Sequence, residues 1–211
     1  MARTPSLPSR AVKRTLDVLL SGLGLVASAP LWALIAATIK ITDRGPVFFS
    51  QTRVGERGRI FDALKFRSMI PDAERGVGPV QAAEFDPRVT GVGRVLRATA
   101  MDELPQLWNI FRGDMSFVGP RALRPEEIEV DGRGVRVPLQ AIPGFAERCM
   151  VPPGLTGIAQ IYAPRDVSRR QKFRLDLLYI RRRSLNLDLR LILLSFWITM
   201  RGTWEHRERK Y

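Results

Sequence analysis

One cysteine and one histidine in 211 residues remove much of the chemistry a sequence can announce. A lone Cys149 builds neither an intramolecular disulfide nor a thiolate metal cluster, and it fits a reducing compartment. His206 alone, close to the C-terminus, makes a Ser/His/Asp triad or a multi-histidine zinc site very hard to assemble. There is no Walker or dinucleotide fingerprint, and no internal repeat or low-complexity tract. Acidic residues are scarce too: 21 Asp and Glu face 34 Lys and Arg, for a net charge of +13. An anionic partner follows, whether nucleic acid, phospholipid headgroups or a phosphorylated small molecule. Any catalysis falls to carboxylates, lysines and arginines. The length suits one domain rather than two.

What is present begins with an apolar run. Between Asp17 and Lys40 lies "VLLSGLGLVASAPLWALIAATI", 22 residues without a charge, where about 20 suffice for a helix to span a bilayer. Arg10, Lys13 and Arg14 followed by "ASA" also resemble a secretory signal, but the apolar run continues past that point. Both flanks are basic, with Arg3, Arg10, Lys13 and Arg14 before the run and Lys40, Arg44, Arg53, Arg57 and Arg59 after it. The positive-inside tendency draws both ends to the cytoplasm. A helix that enters, turns and returns meets that demand. The break is expected at Ser28, Ala29 and Pro30, where the proline lacks an N–H and Ser28 can bond freed carbonyls. A straight span with a tolerated proline is the alternative. "LILLSFWITM", 191–200, is too short to span; among Arg181, Arg182, Arg183, Arg190 and Arg201 it reads as an amphipathic helix in the headgroup region, or as an ordinary buried helix with a basic solvent face.

The organisation expected is a tail at 1–12, a re-entrant membrane helix at 13–40, a catalytic domain at 41–202 and a tail at 203–211. Gly45 and Pro46 turn the chain; "VFFSQTRV" and "IFDALKF" around "GERG" read as a β-hairpin that feeds Lys65 and Arg67 into a common site. "GRVLRATAMDELPQLWNIFRG", 93–113, reads as two helices broken near Asp102, since Pro105 is tolerated only in a first turn. Asp102 and Glu103 therefore stand at a helix start. There they serve as a cap and a dipole partner, or as chemistry. Arg112, "GDMSFVGPR" and "PPGLTGIAQ" supply guanidinium groups and glycine turns whose N–H groups suit phosphate oxygens, although each turn can equally be structural. Asp176 is the lone acid among Arg169, Arg170, Lys172, Arg174 and Arg181, and a solvated salt bridge is its plain reading.

Taken in order, "KRTLDVLL", "GPVFFSQTRVGERGRIFDALKFRSM", "DPRVTGVGRVLR", "DELPQLWNIFRGDMSFVGPR", "PGLTGIAQ" and "LDLLYIRRRSLNLDL" resemble the bacterial sugar transferases, the monotopic phosphoglycosyl transferase family, in its small form. The resemblance runs from about Lys13 to Gly202 and is most specific between Asp102 and Arg121. It implies an α/β (α+β) monotopic membrane protein with a re-entrant helix, interfacial helices and a small sheet, on the cytoplasmic face of the bacterial inner membrane. It implies transfer of a sugar phosphate from a UDP-sugar to undecaprenyl phosphate, giving the diphosphate-linked sugar and UMP, as the first membrane step of glycoconjugate assembly.

By position the resemblance makes Asp102 the nucleophile, which forms a covalent phosphosugar intermediate, and a Mg2+ ligand, with Glu103 as its partner. Lys65, Arg67, Arg112, Pro120, Arg121, Thr156, Gly157, Arg165 and Asp176 are the candidate substrate-binding residues. A carboxylate and a diphosphate repel each other, and Mg2+ between them relieves that repulsion while cationic side chains hold the equatorial oxygens. Covalent catalysis suits one soluble and one membrane-bound substrate, which use the site in turn. Two departures stand out: Ala29 precedes Pro30 where the family often has serine, and "APRD", 163–166, replaces a common Gly-Arg-Asn run, leaving only Arg165. A non-catalytic membrane scaffold of the same fold is the competing reading. Nucleic acid is suggested by charge alone, with no recognition motif beside it, so none is expected as a partner. No residue pattern selects the sugar or an oligomeric state.

Overall fold

The computed structural model describes residues 7–73, 86–130, 136–164, 167–202 and 204. Its first element, α1 (Leu7–Asp43), is one helix of 37 residues that begins before and ends after the expected 13–40. Helical structure runs through Ala29 and Pro30, so the expected break is not an interruption of the helix. Near it, Ser28 Oγ donates to the Gly24 carbonyl at 2.6 Å and accepts from Trp32 Nε1 at 3.0 Å. Only 11% of the apolar window of α1 is buried. Leu19, Leu23, Val26, Leu34 and Ile41 all stand exposed, which is not the pattern of a soluble core helix.

What α1 does bury, it buries at both ends of its length. In the first half, Lys13 Nζ meets Asp188 at 2.7 Å, and Asp17 Oδ1 accepts from Ser116 Oγ at 3.1 Å and Phe117 N at 3.0 Å. In the second half, Ile35 and Ile39 pack with Phe66 and Leu96. The Trp32 ring lies 5.9 Å from Phe48 and 5.3 Å from Phe66.

The hairpin read from the sequence is present: β1 (Phe48–Val54) pairs antiparallel with β2 (Ile60–Phe66), from Phe48↔Phe66 to Val54↔Ile60. Its turn places Arg57 and Gly58 at positive φ. Next come α2 (Gly91–Ala98) and α3 (Gln106–Arg112), the two expected helices around Asp102. Thr90 caps α2 by accepting from Gly93 N.

Strand β3 (Ser116–Val118) pairs in parallel with β6 (Gly154–Thr156). Between them in sequence lie a small antiparallel pair, β4 (Ile128–Val130) and β5 (Arg136–Pro138), and the short α4 (Phe145–Arg148). The chain closes with α5 (Ile158–Tyr162), α6 (Arg169–Arg182) and α7 (Leu185–Arg201). One core gathers Val118, Val151, Ile161, Tyr179, Ile180, Leu191 and Ile198. The outer side of α7 is apolar: Leu189, Leu193, Phe196, Trp197 and Met200 are exposed at helical spacing. Arg201 lies over the Trp197 ring at 5.0 Å. The amphipathic expectation for 191–200 therefore holds, with the helix starting earlier, at Leu185.

Candidate active site

The acid pair owes its position to a backbone kink. Ala100 ends the α2 segment in the left-handed region at φ 54, and a single 3-10 turn, Met101–Glu103, follows before Pro105 opens α3. For a residue with a Cβ such a conformation costs on the order of 1 kcal/mol or more and is tolerated where the surroundings impose it. The kink turns Asp102 and Glu103 into a cavity of about 1060 Å³.

Asp102 is buried, and Lys65 Nζ stands 3.7 Å from its Oδ2. Lys65 also hydrogen-bonds Glu103 Oε1, and Arg121 Nη2 lies 3.8 Å from the same oxygen. Burial pushes the Glu103 carboxyl up, but Lys65, Arg121 and Arg53 together outweigh it and hold it at about 2. Glu103 is thus a fixed anion that orients two cations.

The β1–β2 register explains how the hairpin serves this site. Phe49 pairs with Lys65, Gln51 with Ala63 and Arg53 with Phe61, so these side chains share one face, from which Phe49, Gln51, Arg53 and Lys65 line the cavity. Arg53 is not among the sequence candidates, although its strand position relative to Lys65 is the available signal. Burial, then the neighbouring Arg121, Arg124 and Arg169, lowers its guanidinium to about 9; burial and Arg121 lower Arg169 to about 10 against the pull of Asp176. Arginines that crowd one another in a buried cavity form a site for anionic oxygens.

Asp176 is no solvated surface pair. It is buried, accepts from Arg148 Nε at 3.0 Å, and burial raises its carboxyl above the usual range against the pull of Arg148 and Arg169. Arg148 Nη2 also donates to the Arg121 carbonyl at 2.5 Å, so the pair steadies the backbone of the Arg121 segment. Thr156 lines the cavity and hydrogen-bonds Ser195.

Of the other candidates, only Arg67 lines the cavity among the described residues. Arg112 is 51% exposed, pairs with Asp114 at 2.5 Å, and does not line the cavity. The glycine turns spend their N–H groups on each other: Gly119 N donates to the Thr156 carbonyl at 2.9 Å and Gly154 N to the Pro120 carbonyl at 2.8 Å. A Cβ on Gly154 would sit 2.0 Å from Gly119 N, and one on Gly157 would sit 2.4 Å from the Gly119 carbonyl. Pro120 and Gly157 therefore belong to a backbone crossing that places Arg121; their turns do not form a phosphate cradle. Arg67 is buried beside Asp43 and lines the cavity. Arg165 falls outside the described residues.

For Mg2+ the donor set suits an ion that shares its ligands with a substrate. Asp102 and Glu103 offer hard oxygens at the cavity, and among the described residues no three His, Cys, Asp or Glu side chains cluster into a cage. Mg2+ is commonly held by one or two carboxylates together with substrate phosphates.

An acid pair set among lysine and arginine in a cavity, on a body docked to an apolar helix, is the setting in which comparison with known proteins is informative. Residues 8–202 match the model of the bacterial sugar transferase family, and the chain belongs to that family. It is 43% identical over 190 residues to an undecaprenyl-phosphate glucose phosphotransferase of Komagataeibacter xylinus, covering 87% of this chain and 35% of that one. It is 43% identical over 195 residues to a UDP-glucose:undecaprenyl-phosphate glucose-1-phosphate transferase of Caulobacter vibrioides, covering 89% and 70%. Exopolysaccharide production protein ExoY of Sinorhizobium fredii is 38% identical over 191 residues, covering 84% and 80%. The chain thus spans about a third of the Komagataeibacter relative and most of the other two.

Proposed function

We propose that this protein transfers a sugar phosphate from a UDP-sugar to undecaprenyl phosphate, releases UMP, and so begins the assembly of an exopolysaccharide or related glycan. The observation that carries the reading is the Asp102–Glu103 pair, held in the cavity by Lys65 and Arg121 beside Arg53. UDP-glucose is the first donor to try, because the two relatives at 43% identity are named for glucose.

In this reading the donor diphosphate enters among Arg53, Arg121 and Arg169. An Asp102 oxygen attacks the sugar-bearing phosphorus; the bond to UMP breaks and its electrons leave with UMP, so an aspartyl phosphosugar remains. Glu103 stays ionised and takes no proton; it holds Lys65 and Arg121, whose charge faces the developing equatorial oxygens. Asp102 would hold Mg2+, which when bound would supply neutralisation of the charge between nucleophile and diphosphate. Transfer to the lipid phosphate then regenerates Asp102.

The same reading places the protein on the cytoplasmic face of the inner membrane, with α1 entering and returning to that face. Its support is that both halves of α1 rest on one small body while Leu19, Leu23, Val26 and Leu34 of its apolar run are exposed. The apolar outer side of α7 adds a second contact in the headgroup region.

The test is UMP release by nanodisc-held protein with undecaprenyl phosphate, Mg2+ and a panel of UDP-sugars, for wild type and Asp102→Asn. Release with one sugar, lost on chelation and in the variant, supports the reading. A folded, membrane-bound wild type that is silent with every donor overturns it in favour of a scaffold.

A further inference from the structure

Arg67 is 6% exposed, yet its Nε, Nη1 and Nη2 have no hydrogen-bond partner among the described residues. Asp43 Oδ2 lies 3.6 Å from Nη2 and is likewise without a hydrogen bond. The chain is built tightly around this group: a Cβ on Gly45 would lie 1.6 Å from Nη1, and Arg67 N donates to the Val47 carbonyl at 2.9 Å. A buried guanidinium left with unused donors is costly unless something accepts from them. Arg67 also lines the cavity that holds the acid pair.

Its place along the hairpin identifies the acceptor. Arg67 follows Lys65 by two residues, so it extends the same face about 7 Å further from the hairpin turn. Arg53 lies on the opposite side of the Phe49–Lys65 pair, about 13 Å from Phe49 along β1. Lys65 and the acid pair therefore stand between two cationic ends of one cavity. The Arg53 end is polar, with Arg121, Arg124 and Arg169. Toward the Arg67 end, Phe48 and Phe66, paired across the hairpin, and Leu31 of α1 give the cavity an apolar wall where α1 packs on the hairpin. A cation at the end of an apolar wall fits an amphiphile, a phosphate on a long hydrocarbon chain.

Building on the transferase reading, we propose that Arg67 receives the phosphate of the lipid acceptor, which enters between α1 and the hairpin, opposite to the nucleotide. Nε and Nη2, which share one edge of the guanidinium, donate to two phosphate oxygens, in place of the long 3.6 Å contact from Nη2 to Asp43. A third oxygen of the lipid phosphate attacks the phosphorus bound to Asp102. The new P–O–P bond forms as the bond from phosphorus to the Asp102 oxygen breaks, and its electron pair returns to the carboxylate. No proton or electron changes hands when the lipid phosphate is a dianion.

The experiment compares wild type, Arg67→Lys and Arg67→Met in nanodiscs, with KM measured separately for undecaprenyl phosphate and the UDP-sugar. The expected result is a lipid KM raised about tenfold or more relative to the donor KM in Arg67→Met, the size of a lost charged hydrogen bond, with a smaller rise in Arg67→Lys. A larger effect on the donor KM, or no split, overturns the assignment. A wild type without UMP release fails the transferase reading alone. A second measurement, on wild type, does not depend on turnover: a diazirine-bearing polyprenyl phosphate and the matching polyprenol are crosslinked and mapped. Labelling of residues 43–49 and 67 by the phosphate form only supports the proposal; equal labelling by the alcohol, or labelling elsewhere, overturns it.

Discussion

Replacing Glu103 by glutamine tests whether this carboxylate is a fixed structural anion. An unfolded glutamate takes its proton near 4.5, whereas the folded carboxyl holds out to about 2 because Lys65, Arg121 and Arg53 outweigh the effect of burial. Between those values the unfolded chain binds more protons than the folded one, so acid favours unfolding. The stabilisation is fully present above 4.5 and is lost as pH falls through about 2. At about 1.4 kcal/mol per pH unit, the charge contributes on the order of 3 kcal/mol at neutral pH, a figure reasonable for a side chain only 17% exposed. Glu103→Gln should therefore lower the melting temperature in detergent by roughly 6 to 12 °C at pH 7, and the free-energy gap to wild type should shrink to about half by pH 3. Thermal and urea unfolding of both proteins at pH 7, 5 and 3 measure this. A gap that does not change with pH, or a variant more stable at pH 7, refutes the reasoning.

Arg112→Ala should release UMP within about twofold of wild type, since an exposed pair contributes little, while Arg121→Ala should lose about 100-fold; equal losses would return Arg112 to the site. Gly154→Ala forces a Cβ against Gly119 N and should destabilise by about 1–3 kcal/mol in a detergent melt. An unchanged melt would show that the crossing has slack. Glutamates at Leu193 and Phe196, 69% and 65% exposed, should weaken binding of the detergent-free protein to anionic vesicles about tenfold or more, with an unchanged circular dichroism spectrum. Undiminished binding would remove α7 from the membrane contact.

The parts legible in the sequence were those set by local rules. Turn residues at 55–58 between β-forming runs gave the hairpin, and Pro105 located the start of the helix after the acid pair. Strand alternation could have led from Lys65 to Arg53. Pro30 marks a missing N–H inside a helix that continues through it, so the local chemistry there located no interruption of the helical backbone. Glycine turns suggested anion binding, but whether an N–H is free depends on what crosses it, and Gly119 and Gly154 cross strands 35 residues apart in the chain. Arg112 turned to its neighbour Asp114, whereas the buried link from Asp176 through Arg148 to Arg121 joins three distant segments. No local pattern encodes that link.

Arg14 donates to the Ile110 and Phe111 carbonyls at 2.6 Å, closing the C-terminal end of a seven-residue helix whose other end follows the acid pair. The apolar helix α1 and the Asp102–Glu103 pair, anchor and reacting carboxylates in the proposed function, are thus joined through one short shaft. Cutting the chain after the apolar run to obtain a water-soluble enzyme would remove that bearing as well as the anchor. The soluble piece would then fail even toward a short, water-soluble acceptor, and for a mechanical reason.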